Sequence, residues 1–329
     1  MKLLVFGTSA FAVPILDAVA ERHDVVGVVT QPDRPAGRGH RLVATPAKRA
    51  AGVRGLRVFT PERLRPFVDE ARSLGAGAFV VASYGKIVPQ ALLDTVPIAF
   101  NVHPSLLPLY RGATPLQSAL RDGRAETGVT IIAMDAGMDT GDILLQERTT
   151  VAAAETYGEL HDRLALRGAA LVLDAIERWE RGTLERTPQG ALGIPGAEID
   201  ATLTRPLGKD DLLIDWSAPP QRIVDLVRSL SPEPSARTRD AAGEPLKVAR
   251  VHVEPRVEGA VPEAALDLAD GRRIVVETAP GTNARAVLDA GDARIVFDSV
   301  TPAGKGPLDA ARFAQFIVQS QRSAAARAR

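Results

Sequence analysis

Four short runs, at 2–6, 25–30, 79–83 and 98–103, are almost unbroken in β-branched and other apolar residues. A strand with one wet face alternates apolar and polar side chains, whereas a continuous apolar run belongs to a strand covered on both faces. Helical stretches at 11–20, 46–51, 61–74 and 88–94 separate the runs, with proline near the start of several, where its missing N–H costs nothing. Thr60 ahead of Pro61 reads as an N-cap. Strands and helices alternating in this way predict a doubly wound α/β sheet whose site lies at the carboxyl ends of the strands.

Residues 128–134 and 142–146 read as two further strands around the turn at 136–141, and a long helix follows from about 155 to 180. Its Leu160, Leu164, Leu171 and Ile176 share one face. The stretch 187–205, rich in Gly, Pro and Ala, reads as a linker. Beyond it the texture changes. An amphipathic helix at 220–230 precedes five short strands at 247–253, 264–268, 272–277, 284–288 and 293–299, and a last helix at 308–320. Asp270-Gly271 and Gly291-Asp292 punctuate them as hairpin turns. The expected architecture is a Rossmann-like, doubly wound, mostly parallel sheet at 1–189, a linker at 190–205, and a small OB-like β-barrel domain at 206–329. A length of 329 residues fits two domains better than one.

Composition narrows the function classes. There are no cysteines, so disulfides, thiolate nucleophiles and cysteine-based zinc sites are excluded. With five histidines in 329 residues, a histidine-rich metal cage is not expected, and no metal is called for. No apolar run approaches the roughly 20 residues that span a bilayer, and the first residues are too short an apolar core for a signal peptide. A cytoplasmic protein without a membrane partner is expected. The formal net charge is +0, and residues 206–329 carry as many acidic as basic residues, so contact with a polyanion must rest on local patches.

Several familiar chemistries lack their motifs. The first strand ends Phe6-Gly7-Thr8-Ser9-Ala10, without the glycine spacing that lets a dinucleotide pyrophosphate approach the backbone. Gly85-Lys86 and Gly304-Lys305 lack the rest of a phosphate-binding loop. There is no nucleophile elbow and no H-E-x-x-H pair. One segment stands apart: Asn101-Val102-His103-Pro104-Ser105-Leu106-Leu107-Pro108-Leu109-Tyr110-Arg111-Gly112, which starts at the carboxyl end of a buried strand. Asn101 and His103, two apart, leave an extended chain on the same face. An amide donor beside an imidazole suits an oxyanion and a moving proton. A carboxylate is needed to fix the ring, and Asp139, in a glycine-flanked turn, is the candidate. At a strand end, however, an Asn and a His are more often capping groups than catalysts.

The pattern N-V-H-P-S-L-L-P-L-Y-R-G, followed by M-D-A-G-M-D-T-G-D-I-L from Met134, resembles the signature of the 10-formyltetrahydrofolate-dependent formyltransferases. The resemblance implies a catalytic trio of Asn101, His103 and Asp139. It also implies a folate-contacting loop at Ser105, Leu106, Leu107 and Pro108, and a backbone segment facing the pterin at Tyr84, Gly85, Lys86 and Ile87. The cosubstrate implied is 10-formyltetrahydrofolate.

Gln31-Pro32-Asp33-Arg34-Pro35-Ala36-Gly37-Arg38-Gly39 resembles the loop of the family's methionyl-tRNA branch, which inserts toward the end of the acceptor stem. Arg34, Arg38, Arg41, Lys48 and Arg49 face a single acid there, Asp33, so the stretch is locally basic and suited to phosphates or base edges. Lys209-Asp210-Asp211 and Ile214-Asp215-Trp216 resemble the opening of that branch's second domain. The expected partner is therefore methionyl-initiator tRNA, with Arg34, Arg38, Arg41 and Lys209 as contacts, on a monomeric enzyme. Two alternatives remain open at this point. One is an amino-sugar or ribonucleotide N-formyltransferase with the same site; the other is a non-catalytic nucleic-acid-binding barrel. The second is disfavoured because base-stacking barrels expose aromatics, and these strands offer essentially only Phe297.

Overall fold

The computed structural model describes residues 1–36, 41–256, 259–278, 283–291 and 293–327. The chain divides into two compact units. The first contains 1–116, 125–151 and 160–206; the second contains 117–124, 152–159 and 207–329.

Strand β1 (Lys2–Gly7), helix α1 (Ala12–Arg22), β2 (Asp24–Val29), β3 (Arg34–Ala36), β4 (Arg41–Val43), α2 (Pro46–Val53) and β5 (Val58–Phe59) open the chain. After them come α3 (Val68–Ser73), β6 (Ala78–Ala82), α4 (Gln90–Leu93), β7 (Ala99–His103), α5 (Pro115–Arg121), β8 (Glu126–Ala133) and β9 (Ile143–Thr150). The main sheet runs β5-β2-β1-β6-β7-β8-β9. Its first five strands are parallel; β8 adds antiparallel to β7, and β9 antiparallel to β8. The expectation of a mostly parallel, doubly wound sheet holds. β6 and β7 are buried at every position, which is why their sequences show no alternation. Leu4, Phe6, Phe79 and Val81 pack with Phe59, Phe67, Tyr84 and Leu92 in one core cluster.

The helix expected over 61–74 begins later, as a 3-10 turn at Arg65–Phe67 leading into α3. Pro66 is the reason. A helix starting at 61 would hold that proline in its interior, with a lost hydrogen bond and a ring clash; at the first turn it is harmless. α2 matches expectation closely, capped by Thr45, whose hydroxyl accepts from the Lys48 N–H at 3.1 Å. The short β3–β4 hairpin and α5 carried no periodic signal in the sequence.

The long helix α6 spans Tyr157–Glu180. Residues 187–205, which read as a linker, are structured. Thr187 and Ile143 exchange both backbone hydrogen bonds at 2.8 Å, a 3-10 turn covers Gln189–Leu192, and α7 spans Gly196–Ala201.

In the second unit α8 (Pro220–Ser229) precedes β10 (Ala236–Arg239), β11 (Pro245–Pro255), β12 (Val261–Asp267), β13 (Arg273–Thr278), β14 (Arg285–Ala290), β15 (Ala293–Pro302), β16 (Leu308–Asp309) and α9 (Ala310–Arg327). The antiparallel sheet runs β10-β11-β15-β14-β13-β12. It curls far enough for its two edges to meet, where Ala241 N–H donates to the Asp267 carbonyl at 2.8 Å and Ala269 N–H to that of Arg239 at 3.1 Å. Phe297, Phe313, Trp216, Ile274 and Val248 fill its interior. Phe297, the one strand aromatic, is fully buried and offers no stacking platform.

Candidate active site

β7 delivers two polar side chains to the carboxyl end of the main sheet, and both are buried: Asn101 is 9 % exposed and His103 4 %. The chain then folds back on itself. The Ser105 N–H donates to the His103 carbonyl at 3.0 Å, and the Ser105 hydroxyl to the Leu109 carbonyl at 2.7 Å. Tyr110 adopts a left-handed backbone (φ 59°) and its N–H is held by the Thr202 hydroxyl at 3.2 Å. This turns the Tyr110 carbonyl onto His103 Nε2 at 2.9 Å. Gly112 follows at φ 108°, where a Cβ would stand 2.2 Å from the Thr204 carbonyl oxygen. Only glycine fits there, and its N–H donates to Asp139 Oδ2 at 2.9 Å.

Asp139 comes from the loop between β8 and β9. The Asp135 carboxylate organises that loop by accepting from the Gly137 N–H at 3.0 Å and the Thr140 hydroxyl at 2.8 Å. Asp139 sits at its tip with φ 56°. Its Oδ1 accepts from Asn101 Nδ2 at 3.1 Å and lies 3.6 Å from His103 Nδ1. The three residues of the expected trio are thus brought together.

The protons follow from the partners. A carbonyl can only accept, so His103 Nε2 carries a hydrogen, and Nδ1 is left facing a carboxylate. The Nδ1 side of the ring lies 3.6 Å from Asp139 Oδ1. Asn101 gives one N–H to Asp139, and its second N–H has no partner among the described residues. The trio therefore brings an amide donor, an imidazole and a carboxylate together at the mouth of the sheet.

The other expected site residues fall into two groups. In the 105–108 loop, Ser105 and Leu107 point inward: Ser105 is fully buried, and Leu107 packs against Ile132 and Ile143. The loop is held from β8 and β9. Thr130 accepts from the Leu107 N–H at 3.2 Å and donates to the Ser105 carbonyl at 2.7 Å, and Gln146 donates to the Leu107 carbonyl at 3.0 Å. Leu106 lies over Gly128, where any Cβ would come within 2.5 Å of it; Pro108 is buried. The Tyr84 ring is buried edge-on against Phe6 with its hydroxyl unpartnered, and burial pushes that phenol up to about 12. Its carbonyl accepts from the Thr8 hydroxyl at 2.8 Å and from Gln31 Nε2 at 2.9 Å. Gly85 (φ 77°) and the exposed Ile87 continue from the end of β6, the neighbour of β7.

Residues 1–176 match the family described as formyl transferase, and residues 206–316 match formyl transferase, C-terminal domain. The chain belongs to the formyl transferase family. Its relatives include the methionyl-tRNA formyltransferase of Symbiobacterium thermophilum, 40 % identical over 318 residues and covering 95 % of this chain and 91 % of that one. That of Solibacter usitatus is 42 % identical over 270 residues, covering 81 % and 84 %. Among solved structures, the N-formyltransferase of Helicobacter canadensis in complex with folinic acid and dTDP-3-aminofucose shares the fold. Its TM-score is 0.61 at 18 % identity, with 90 % of this chain and 98 % of that one covered. HypX of Aquifex aeolicus in complex with tetrahydrofolic acid aligns with a TM-score of 0.59 at 15 % identity, covering 95 % and 46 %.

In this formyl transferase the basic loop is less free than its composition suggests. Lys48 donates to both carboxylate oxygens of Asp33 at 2.9 and 2.8 Å, and Arg49 turns back to the Ala44 carbonyl. Arg34 is exposed on β3 and donates to Gln31 Oε1 at 2.7 Å. Arg41 sits on β4 opposite Ala36. Arg38 lies outside the described residues. Lys209, in the second unit, is exposed, and its ammonium has no partner among the described residues. Among those residues no group of three or more His, Asp or Glu is placed to hold a metal, and no helix is long and apolar enough to cross a membrane. Gln189, Thr130 and Gln146 were invisible in the sequence, because a lone amide or hydroxyl in a loop or strand carries no periodicity.

Proposed function

We propose that this formyl transferase moves a formyl group from 10-formyltetrahydrofolate to the amino group of methionyl-initiator tRNA, with Asn101, His103 and Asp139 as the catalytic residues. The observation that carries the chemistry is the convergence of the three side chains, 3.1 Å from Asn101 Nδ2 and 3.6 Å from His103 Nδ1 to one oxygen of Asp139. The acceptor is supported by identity of about 40 % to methionyl-tRNA formyltransferases along nearly the whole chain. The folate fits the site's edges: the main chain at Gly85 and Ile87 and the loop carrying Leu106 and Pro108 leave from adjacent strands and border the trio.

The folate supplies the formyl group on its N10. As the acceptor nitrogen bonds to the formyl carbon, charge gathers on the formyl oxygen. Asn101 stabilises it with its remaining N–H, and His103 with an Nδ1 proton on the side of the ring that faces Asp139 at 3.6 Å. Asp139 holds the ring cationic and takes up the proton released by the amine. That proton returns to N10 as the carbon–N10 bond breaks, so charge and protons balance. Arg34, Arg38, Arg41 and Lys209 contact the tRNA in this reading, as phosphate or base-edge donors.

The test is formyl transfer from 10-formyltetrahydrofolate with charged initiator tRNA, free methionine and a nucleotide-linked amino sugar as separate acceptors. Transfer to charged tRNA alone is expected. Transfer to the amino sugar instead would keep the trio and replace the acceptor.

A further inference from the structure

The geometry points to Gln189 as a positioning residue that sets Asp139 against His103 by clamping together the two loops that build the site. This rests on Asp139 acting in the reaction, as proposed above. Gln189 is 5 % exposed, yet every hydrogen bond its amide can make between protein loops is used. Its Nε2 donates to the carbonyls of Asp139 and Gly141, both at 2.8 Å. Its Oε1 accepts from Arg111 Nε at 3.1 Å and from a second Arg111 nitrogen at 2.6 Å. Arg111 directly precedes Gly112, whose N–H holds the Asp139 carboxylate. One side chain therefore grips the Asp139 loop by its backbone and the His103 loop by its arginine.

The grip is needed because the loop is held in an unfavourable conformation. Asp139 is a non-glycine residue at φ 56°, a region that costs energy and persists only where the surroundings impose it. Two residues on, the loop passes so close to β8 that a Cβ on Gly141 would stand 1.8 Å from the Ala133 carbonyl oxygen. Gln189 is itself anchored, since Thr187 pairs with Ile143 at the start of β9 through two 2.8 Å hydrogen bonds. Only a carboxamide offers two donors on one atom and an acceptor for a guanidinium on its neighbour, and asparagine, the other side chain with one, is a methylene shorter. Glutamate keeps the arginine pair but turns an oxygen lone pair on the two loop carbonyls.

The experiment compares kcat, KM and melting temperature for the full chain, Gln189→Glu, Asp139→Asn and the double variant, with 10-formyltetrahydrofolate and charged initiator tRNA. We expect Gln189→Glu to lower kcat by about 100-fold, the usual effect of a displacement near 1 Å at a reacting group, with KM for both substrates little changed. In the Asp139→Asn background the same substitution should cost almost nothing further, because the group it positions is already lost. Should Gln189→Glu fail to fold, Gln189→Met, of similar length and without the hydrogen bonds, reads the same quantities. Independent, multiplicative losses in the double variant would overturn the inference, as would parental kcat in the Gln189 variant while Asp139→Asn is inactive. Parental activity in Asp139→Asn itself would instead overturn the assignment of the trio.

Discussion

His103 is caught between the Tyr110 carbonyl and the Asp139 carboxylate. The Tyr110 carbonyl fixes one ring nitrogen as a donor at 2.9 Å, and Asp139 waits 3.6 Å from the other. Both partners depend on unusual backbone: Tyr110 and Asp139 have positive φ, and Gly112 tolerates no side chain against Thr204. Gly112→Ala should therefore lose stability by about 1–3 kcal/mol from backbone strain alone, more with the overlap, and should lose activity as the N–H to Asp139 moves. Urea unfolding and turnover of the same preparation check this, and an alanine variant of parental stability would contradict it. At this scale the sequence was partly legible. Asn101 and His103 stood out because two polar residues interrupt the end of an apolar run, and Asp139 because glycines flank it. Gln189 did not, because its meaning comes from four hydrogen bonds to residues 111, 139 and 141 that only the fold assembles.

Elements buried on both faces were the legible ones. β1, β2, β6 and β7 read directly from continuous apolar runs, since such runs have no other stable location than a covered strand. The β3–β4 hairpin was missed because Leu42 and Val43 are exposed and its strands are three residues long. The start of α3 is set by Pro66 rather than Pro61, because a helix begun at 61 would carry Pro66 in its interior. In the second unit the β11–β15 face carries His252 between two carboxylates, Asp298 Oδ2 at 2.8 Å and Glu254 Oε1 at 3.0 Å, with Arg285 beyond Glu254. Burial lowers the pKa of His252, but the hydrogen bonds to Asp298 and Glu254 outweigh it and leave it raised above 6.5. A raised pKa means the cation is favoured in the fold. Its stabilisation is complete below the unfolded value, about 6.5, and fades as pH rises through the folded one. The stability difference between the parent and His252→Gln should accordingly be largest near about pH 5 and shrink toward about pH 9. Urea midpoints across that range measure it, and a difference that grows with pH would contradict the assignment.

The second unit is assembled from three stretches of chain rather than one, so no single cut in the sequence releases it. Arg228 ties them: it pairs with Asp225 at 2.8 Å and reaches the carbonyls of Leu120 and Ala152 at 3.4 Å, with both charged side chains buried. Breaking a buried pair strands its partner and costs about 3–5 kcal/mol. Arg228→Leu should lower stability by that amount in chemical denaturation, and a loss below 1 kcal/mol would show that the pair behaves as a surface one. The same interleaving argues for point substitutions, not truncation, in asking what the second unit does for tRNA, with Lys209→Ala first. For the whole molecule the proposal is that the amide of Asn101 stabilises charge on a formyl oxygen during transfer to charged initiator tRNA. The most direct measurement is single-turnover formyl transfer from 10-formyltetrahydrofolate to methionyl-initiator tRNA by the parent and Asn101→Ala, with melting temperatures alongside. Loss of about 100- to 1000-fold in rate with the fold intact is the expected result; transfer at the parental rate by the folded variant would contradict the claim.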